Sequence, residues 1–187
     1  VYFGGDSAAT GGDAIEIRRD SKVFIRDQVL FGFQNSFRVG QLLRYSLVVP
    51  KRRRGMDLNQ YMCTTFVDAV YECMKAGRAL GNDEEDEDAP AVLNSSQFLV
   101  GYGGRIFRID GDFAVAEVGT LWDAIGSGGD SARGALLAQD LVIATAKRNK
   151  RAFTYTPEQR ILDALTASER LTPNVRRPFS IIKSPEK

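Results

Sequence analysis

Apolar and polar positions alternate with a period of two through the first part of the chain. Ile15 and Ile17 alternate with Glu16 and Arg18, and Val23–Ile25 and Gln28–Phe33 are rich in β-branched and aromatic residues; both patterns predict strands. Val1–Gly5, an apolar run ending in two glycines, reads as a further strand. Gly11-Gly12 and Asp20-Ser21 supply turn chemistry between them, so the chain is expected to open as an antiparallel sheet. The period then changes. Phe37–Val48 sets Val39, Leu42, Leu43 and Leu47 on one face, and Asp57–Leu80 does the same with Leu58, Met62, Phe66, Ala69, Val70 and Cys73. Pro50 and the basic run Lys51–Arg54 separate these helices, a short link that suits an antiparallel pair packed on the sheet.

The second half repeats the order. Gln97–Gly101, Arg105–Asp110 and Phe113–Glu117 read as a second sheet, joined by turns at Tyr102-Gly103-Gly104 and Asp110-Gly111-Asp112. A glycine-rich turn, Gly126-Ser127-Gly128-Gly129, runs into a helix expected over Ser131–Lys147. Thr156-Pro157-Glu158-Gln159 announces the last helix: an N-cap threonine, a proline at the first helical position and a glutamine able to close a capping box. Phe179–Lys183 after Pro178 is the final strand. Strands, two helices, strands, two helices and a strand give an α+β class, most simply two stacked antiparallel sheets with helix pairs on the outer faces.

Composition narrows the chemistry. At 187 residues with 43% hydrophobic positions, a single domain over 1–187 is the expected organisation, with an acidic insertion loop at 81–96. Twenty-five basic residues against twenty-four acidic ones leave a net charge of +1, which gives no electrostatic case for binding nucleic acid. No apolar run approaches the ~20 residues of a membrane helix, and no signal-peptide pattern is present, so the expected setting is cytoplasmic, away from membranes. Cys63 and Cys73 lie on one helical segment, about 15 Å apart if it is straight. That is too far for a disulfide and is read as two buried free thiols in a reducing compartment. Asp83–Asp88, six consecutive acids, reads as a solvated loop.

The chain has no histidine. That removes Ser-His-Asp and Cys-His catalysis, His-ligated zinc and any imidazole acid or base. Proton chemistry would have to come from a lysine, a carboxylate, a tyrosine or a terminal amine. Two places could carry it. The Gly126–Gly129 turn could bind an anion on backbone N–H groups, but it lacks the lysine of a Walker loop and the spacing of a nucleophile elbow, so a close-packed turn is the plainer reading. Asp6 and Lys22, each next to a strand, are either solvated turn residues or a half-buried pair whose ammonium lowers the pKa of a neighbouring nucleophile.

In order and spacing these residues resemble the proteasome β-subunit superfamily, and most closely the HslV peptidases. The likeness is carried by Val1–Thr10, by Lys22 standing sixteen residues after Asp6, and by Phe31-Gly32-Phe33 leading into the first helix. Phe98–Glu117 followed by Ala124-Ile125-Gly126-Ser127-Gly128-Gly129 continues it, to about Leu165. The resemblance implies a four-layer αββα sandwich and a threonine peptidase of the N-terminal-nucleophile class, whose own α-amine is the general base and which needs no cofactor. It implies that Lys22 lowers the pKa at the nucleophile, that Asp6 fixes Lys22, that Ser127 helps position the amine, and that backbone N–H groups near Asn35 form the oxyanion hole. It further implies homo-oligomeric rings with an internal chamber, unfolded protein or peptide substrates, and an AAA+ unfoldase ATPase as partner. By gapless extension of the match, the nucleophilic threonine stands upstream of Val1. Asn35-Ser36 replaces two glycines of the family pattern, and the last forty residues match it poorly. The alternative expectation is therefore a catalytically inactive structural or assembly protein of the same fold.

Overall fold

The computed structural model describes residues 1–11, 14–80 and 96–185; the Asp83–Asp88 run, and with it the expected acidic loop, lies outside them. Contacts fall into two compact units, one built on Phe24–Gly119 and the other on Tyr2–Val23 and Thr120–Lys183.

The first unit holds a five-stranded sheet in the order β4 (Val23–Arg26), β5 (Val29–Phe33), β6 (Phe98–Tyr102), β7 (Arg105–Ile109), β8 (Val115–Glu117). The β5–β6, β6–β7 and β7–β8 ladders are antiparallel, with Phe31 opposite Val100 and Val100 opposite Phe107. This corrects the expectation of two sheets divided by the first helix pair. β5 is buried at every position, as suits an inner strand, and β6 pairs along one of its edges despite the long sequence separation.

Helix α1 (Phe37–Tyr45) starts at Ser36, whose Oγ accepts from the Val39 N–H at 3.3 Å, and stops three residues short of the expected Val48. The second helical run is α2 (Leu58–Tyr61), a π turn (Met62–Phe66) and α3 (Val67–Ala76), capped by Asp57. It ends before Leu80 because the chain turns back, the Ala79 N–H donating to the Met74 carbonyl at 2.9 Å. Phe24 and Phe31 stack at 5.3 Å and Phe31 and Phe66 at 6.2 Å between sheet and helices. The two thiols are free, but only Cys73 is half-buried; Cys63 is exposed. The helix turns its core face through Met62 and Phe66 and leaves position 63 outside.

The second unit contains two antiparallel ladders and a helix pair. β1 (Tyr2–Gly5) pairs with the C-terminal β9 (Ser180–Lys183), and β2 (Ala8–Gly11) pairs with β3 (Ala14–Ile17). The strands read at the start of the chain therefore divide: β1 to β3 stay here, while β4 and β5 join the larger sheet. Helix α4 (Gly129–Arg148) begins two residues before the expected Ser131, directly on the glycine turn. Helix α5 (Pro157–Leu171) is capped as expected, Thr156 Oγ1 accepting from the Gln159 N–H at 3.1 Å. The Gln159 side chain donates forward to Asp163 at 2.9 Å instead of closing a capping box. α4 and α5 pack through Ala132, Leu136 and Ala164, with Arg160 bonded to Asp140 at 2.6 Å along the seam. α5 lies close on β1: a Cβ added to Gly4 would stand 2.2 Å from Ile161 Cγ2. No helix of the described residues is long and apolar enough to cross a membrane.

Candidate active site

Asp6 follows β1 and Lys22 precedes β4, and the fold of the second unit brings their side chains together. Lys22 Nζ donates to Asp6 Oδ1 at 2.7 Å, with side-chain exposures of 18% and 12%. The other carboxylate oxygen, Oδ2, accepts from the Ala8 N–H at 2.9 Å and from the Arg176 N–H at 3.2 Å. The Ala8 bond closes a local turn of the type aspartate makes two residues ahead of itself. Both oxygens are thus committed, and the carboxylate cannot swing away from the lysine. Asp6 takes one of the three ammonium donors, and no other acceptor is found for them among the described residues. A shielded ammonium with spare donors, held by a fixed carboxylate, can favour the anionic form of a group beside it.

The segment Val175–Pro178 does as much holding as any strand. Besides the Arg176 bond to Asp6, the Ser7 N–H donates to the Arg176 carbonyl at 3.0 Å and Ser7 Oγ donates to the Pro178 carbonyl at 2.5 Å. The same segment meets the glycine turn. Ser168 Oγ donates to the Gly128 carbonyl at 2.9 Å, and a Cβ on Gly128 would lie 2.7 Å from Val175 Cγ2 and 2.9 Å from Ser168 Cβ. The Gly129 N–H is already bonded to the Gly126 carbonyl at 2.9 Å, which favours the close-packed turn over an anion cradle. Ser127, one residue before Gly128, is exposed at the head of α4. Asp6 and the glycine turn are therefore anchored on one segment. Val175–Pro178 gives no signal in the sequence because its contributions are backbone groups and one valine methyl, which residue type does not reveal.

Asn35 belongs to the other unit, between β5 and the Ser36 cap of α1, and is exposed. Its φ of +70° is in the left-handed region that glycine fills freely. Asparagine is among the few other residues that adopt it readily. The backbone there keeps a glycine-like shape although the residue is not glycine. Among the described residues, no group of three or more histidine, cysteine, aspartate or glutamate side chains is placed to hold a metal ion.

The chain has an α+β fold, with mixed helices and antiparallel sheets, that matches the fold of HslV. Three solved structures illustrate the match. BPH from Thiobacillus denitrificans in complex with epoxomicin superimposes with a TM-score of 0.70 and 14% identity, over 99% of this chain and 93% of that one. HslV from Trypanosoma brucei gives 0.61 and 18%, over 97% and 91%. Anbu from Pseudomonas aeruginosa, solved as a helical assembly, gives 0.51 and 18%, over 97% and 75%. At these identities the likeness establishes the fold. No family model and no curated protein matches the sequence.

Proposed function

We propose that this chain is the subunit of a homo-oligomeric threonine peptidase of the N-terminal-nucleophile class, hydrolysing peptide bonds of unfolded or short substrates. The observation that carries the reading is the 2.7 Å Lys22–Asp6 pair, shielded and held by two further N–H groups, in a fold shared with BPH and HslV. In this mechanism the threonine hydroxyl passes its proton to its own α-amine, which titrates near pH 8. The resulting alkoxide, stabilised by the Lys22 ammonium, attacks the substrate carbonyl. The tetrahedral oxyanion needs N–H donors, the part that the resemblance gives to the backbone near Asn35. Collapse expels the leaving amine, which takes the proton from the threonine's own α-ammonium, restoring the neutral amine, and water then hydrolyses the ester by the same proton route. Ser127 assists by hydrogen-bonding the amine. Absence of histidine fits this chemistry, since the amine replaces it. The helical assembly of Anbu supports a subunit role, and an AAA+ unfoldase would supply unfolded chains.

The test uses the complete protein, including whatever precedes Val1. Hydrolysis of a fluorogenic peptide that epoxomicin, the compound bound to BPH, abolishes is the expected result. An assembled protein with no turnover, on peptides or on unfolded proteins, overturns the enzyme reading and leaves a structural or assembly protein with this fold.

A further inference from the structure

Helix α4 carries an outer face that no described residue covers. Between Arg133 and Lys147 every exposed position of the helix is uncharged, and Leu137, Leu141 and Val142 are 52%, 62% and 46% exposed. Helices α5 and α3 face solvent with charge instead, through Glu158 and Arg170 and through Glu72 and Lys75. The two leucines of α4 continue a stripe of small residues, Gly134, Ala138 and Thr145, at spacings of three and four. Glycine inside a helix weakens it relative to alanine, and packing within the chain gives no reason for one here: a Cβ added to Gly134 would meet nothing within 4 Å. A second backbone approaching closely at this point supplies the reason.

The stripe ends in opposite charges. Asp130 and Arg148 stand eighteen residues apart, five turns of about 3.6 residues, so both fall on the line of the stripe, about 27 Å from each other. Asp130 is exposed and pairs only with Arg133 among the described residues, at 2.6 Å. Arg148 lies along the stripe, donating to Thr145 Oγ1 at 3.3 Å, and has no acidic partner among the described residues. The leucine pair, the ends Gly134 and Thr145, and the two charges share one midpoint along the axis, at Gln139–Asp140. Turned end for end about that point, the face meets itself: Leu137 comes over Leu141, Gly134 over Thr145 and Asp130 over Arg148. Self-complementarity of this kind is what a two-fold interface requires. An anionic lipid surface would be repelled at the Asp130 end.

We propose that the outer face of α4 docks on the same face of a second copy of this chain, the two helices antiparallel about a two-fold axis at Gln139–Asp140. The contact buries Leu137 and Leu141 of both copies and joins each Asp130 to the other copy's Arg148. By its symmetry it doubles whatever assembly the chain forms through its other surfaces. It does not depend on the peptidase chemistry. The test is sedimentation velocity of the complete protein, with peptide hydrolysis measured on the same samples. Leu137→Glu/Leu141→Glu sets four carboxylates at the seam, leaves the α4–α5 core untouched and should halve the sedimenting mass. Asp130→Arg and Arg148→Asp each set like charges against each other at both ends and should weaken association by about tenfold or more. An equal mixture of the two should restore it, since a mixed pair again has opposite charges at each end. A leucine variant with the parental mass, or a mixture that does not recover, overturns the proposal. So does a monomeric parent, and its cosedimentation with phosphatidylglycerol vesicles would give the face to a lipid surface instead. A parent without turnover whose mass the leucine variant halves removes the peptidase reading and keeps this contact; turnover with an unchanged mass does the reverse.

Discussion

Replacing Asp6 by alanine should be among the most damaging single changes in the second unit. It strips Lys22 Nζ of its 2.7 Å acceptor and leaves the Ala8 and Arg176 N–H groups without theirs. The side chains are 12% and 18% exposed, so water compensates only in part. Removing one partner of a buried pair costs about 3–5 kcal/mol; allowing for residual solvation here, about 3 kcal/mol is expected. Lys22→Ala should cost less, about 1–2 kcal/mol, because the carboxylate keeps two N–H donors. The double variant should then be milder than the sum, with a coupling of about 1–2 kcal/mol. Urea unfolding followed by circular dichroism on all four proteins gives these numbers. A loss below about 0.5 kcal/mol for Asp6→Ala, or strictly additive losses, would show that the pair is a surface contact and would refute the reasoning.

Gly128→Ala should destabilise by about 1–3 kcal/mol in the same assay, because the new methyl meets Val175 and Ser168 at 2.7 and 2.9 Å; a neutral result would mean that the turn yields. An alkylating reagent should modify exposed Cys63 well before Cys73, whose thiol burial holds above the ordinary range, and equal rates would contradict the burial described. Burial pushes the Tyr61 hydroxyl up to about 12. Its folded-state value lies above the unfolded one of 10.0, so its contribution to stability is complete below pH 10 and lost as pH climbs through about 12. Tyr61→Phe should therefore lower stability at neutral pH by about 1 kcal/mol, through the lost bond to Pro50, and flatten the alkaline decline; an unchanged alkaline profile would contradict this.

Local chemistry was legible in the sequence where one residue type has one strong use. The Thr156 cap with Pro157 behind it, the Gly103-Gly104 turn and the amphipathic face of α1 appear where the pattern put them. The Asp6–Lys22 pairing was legible only through spacing and resemblance, since alternation alone leaves both as turn residues. What was hidden is non-local or made by the backbone. Nothing in Val1–Gly5 says that its partner is Ser180–Lys183, and nothing in Gln28–Phe33 says that Phe98–Tyr102 lies beside it. Arg176 acts through its N–H and carbonyl, so its side chain misdirects the reader. A cysteine beside apolar residues reads as buried, whereas Cys63, inside the π turn at Met62–Phe66, is exposed.

The central claim is that the Asp6-held Lys22 ammonium serves a nucleophile. It is tested most directly by the rate of peptide hydrolysis in Lys22→Met, an uncharged side chain of similar length, within the complete and assembled protein. kcat should fall by about 100-fold or more, while KM and the sedimentation profile stay near those of the parent. Hydrolysis at the parental rate in Lys22→Met would contradict the account.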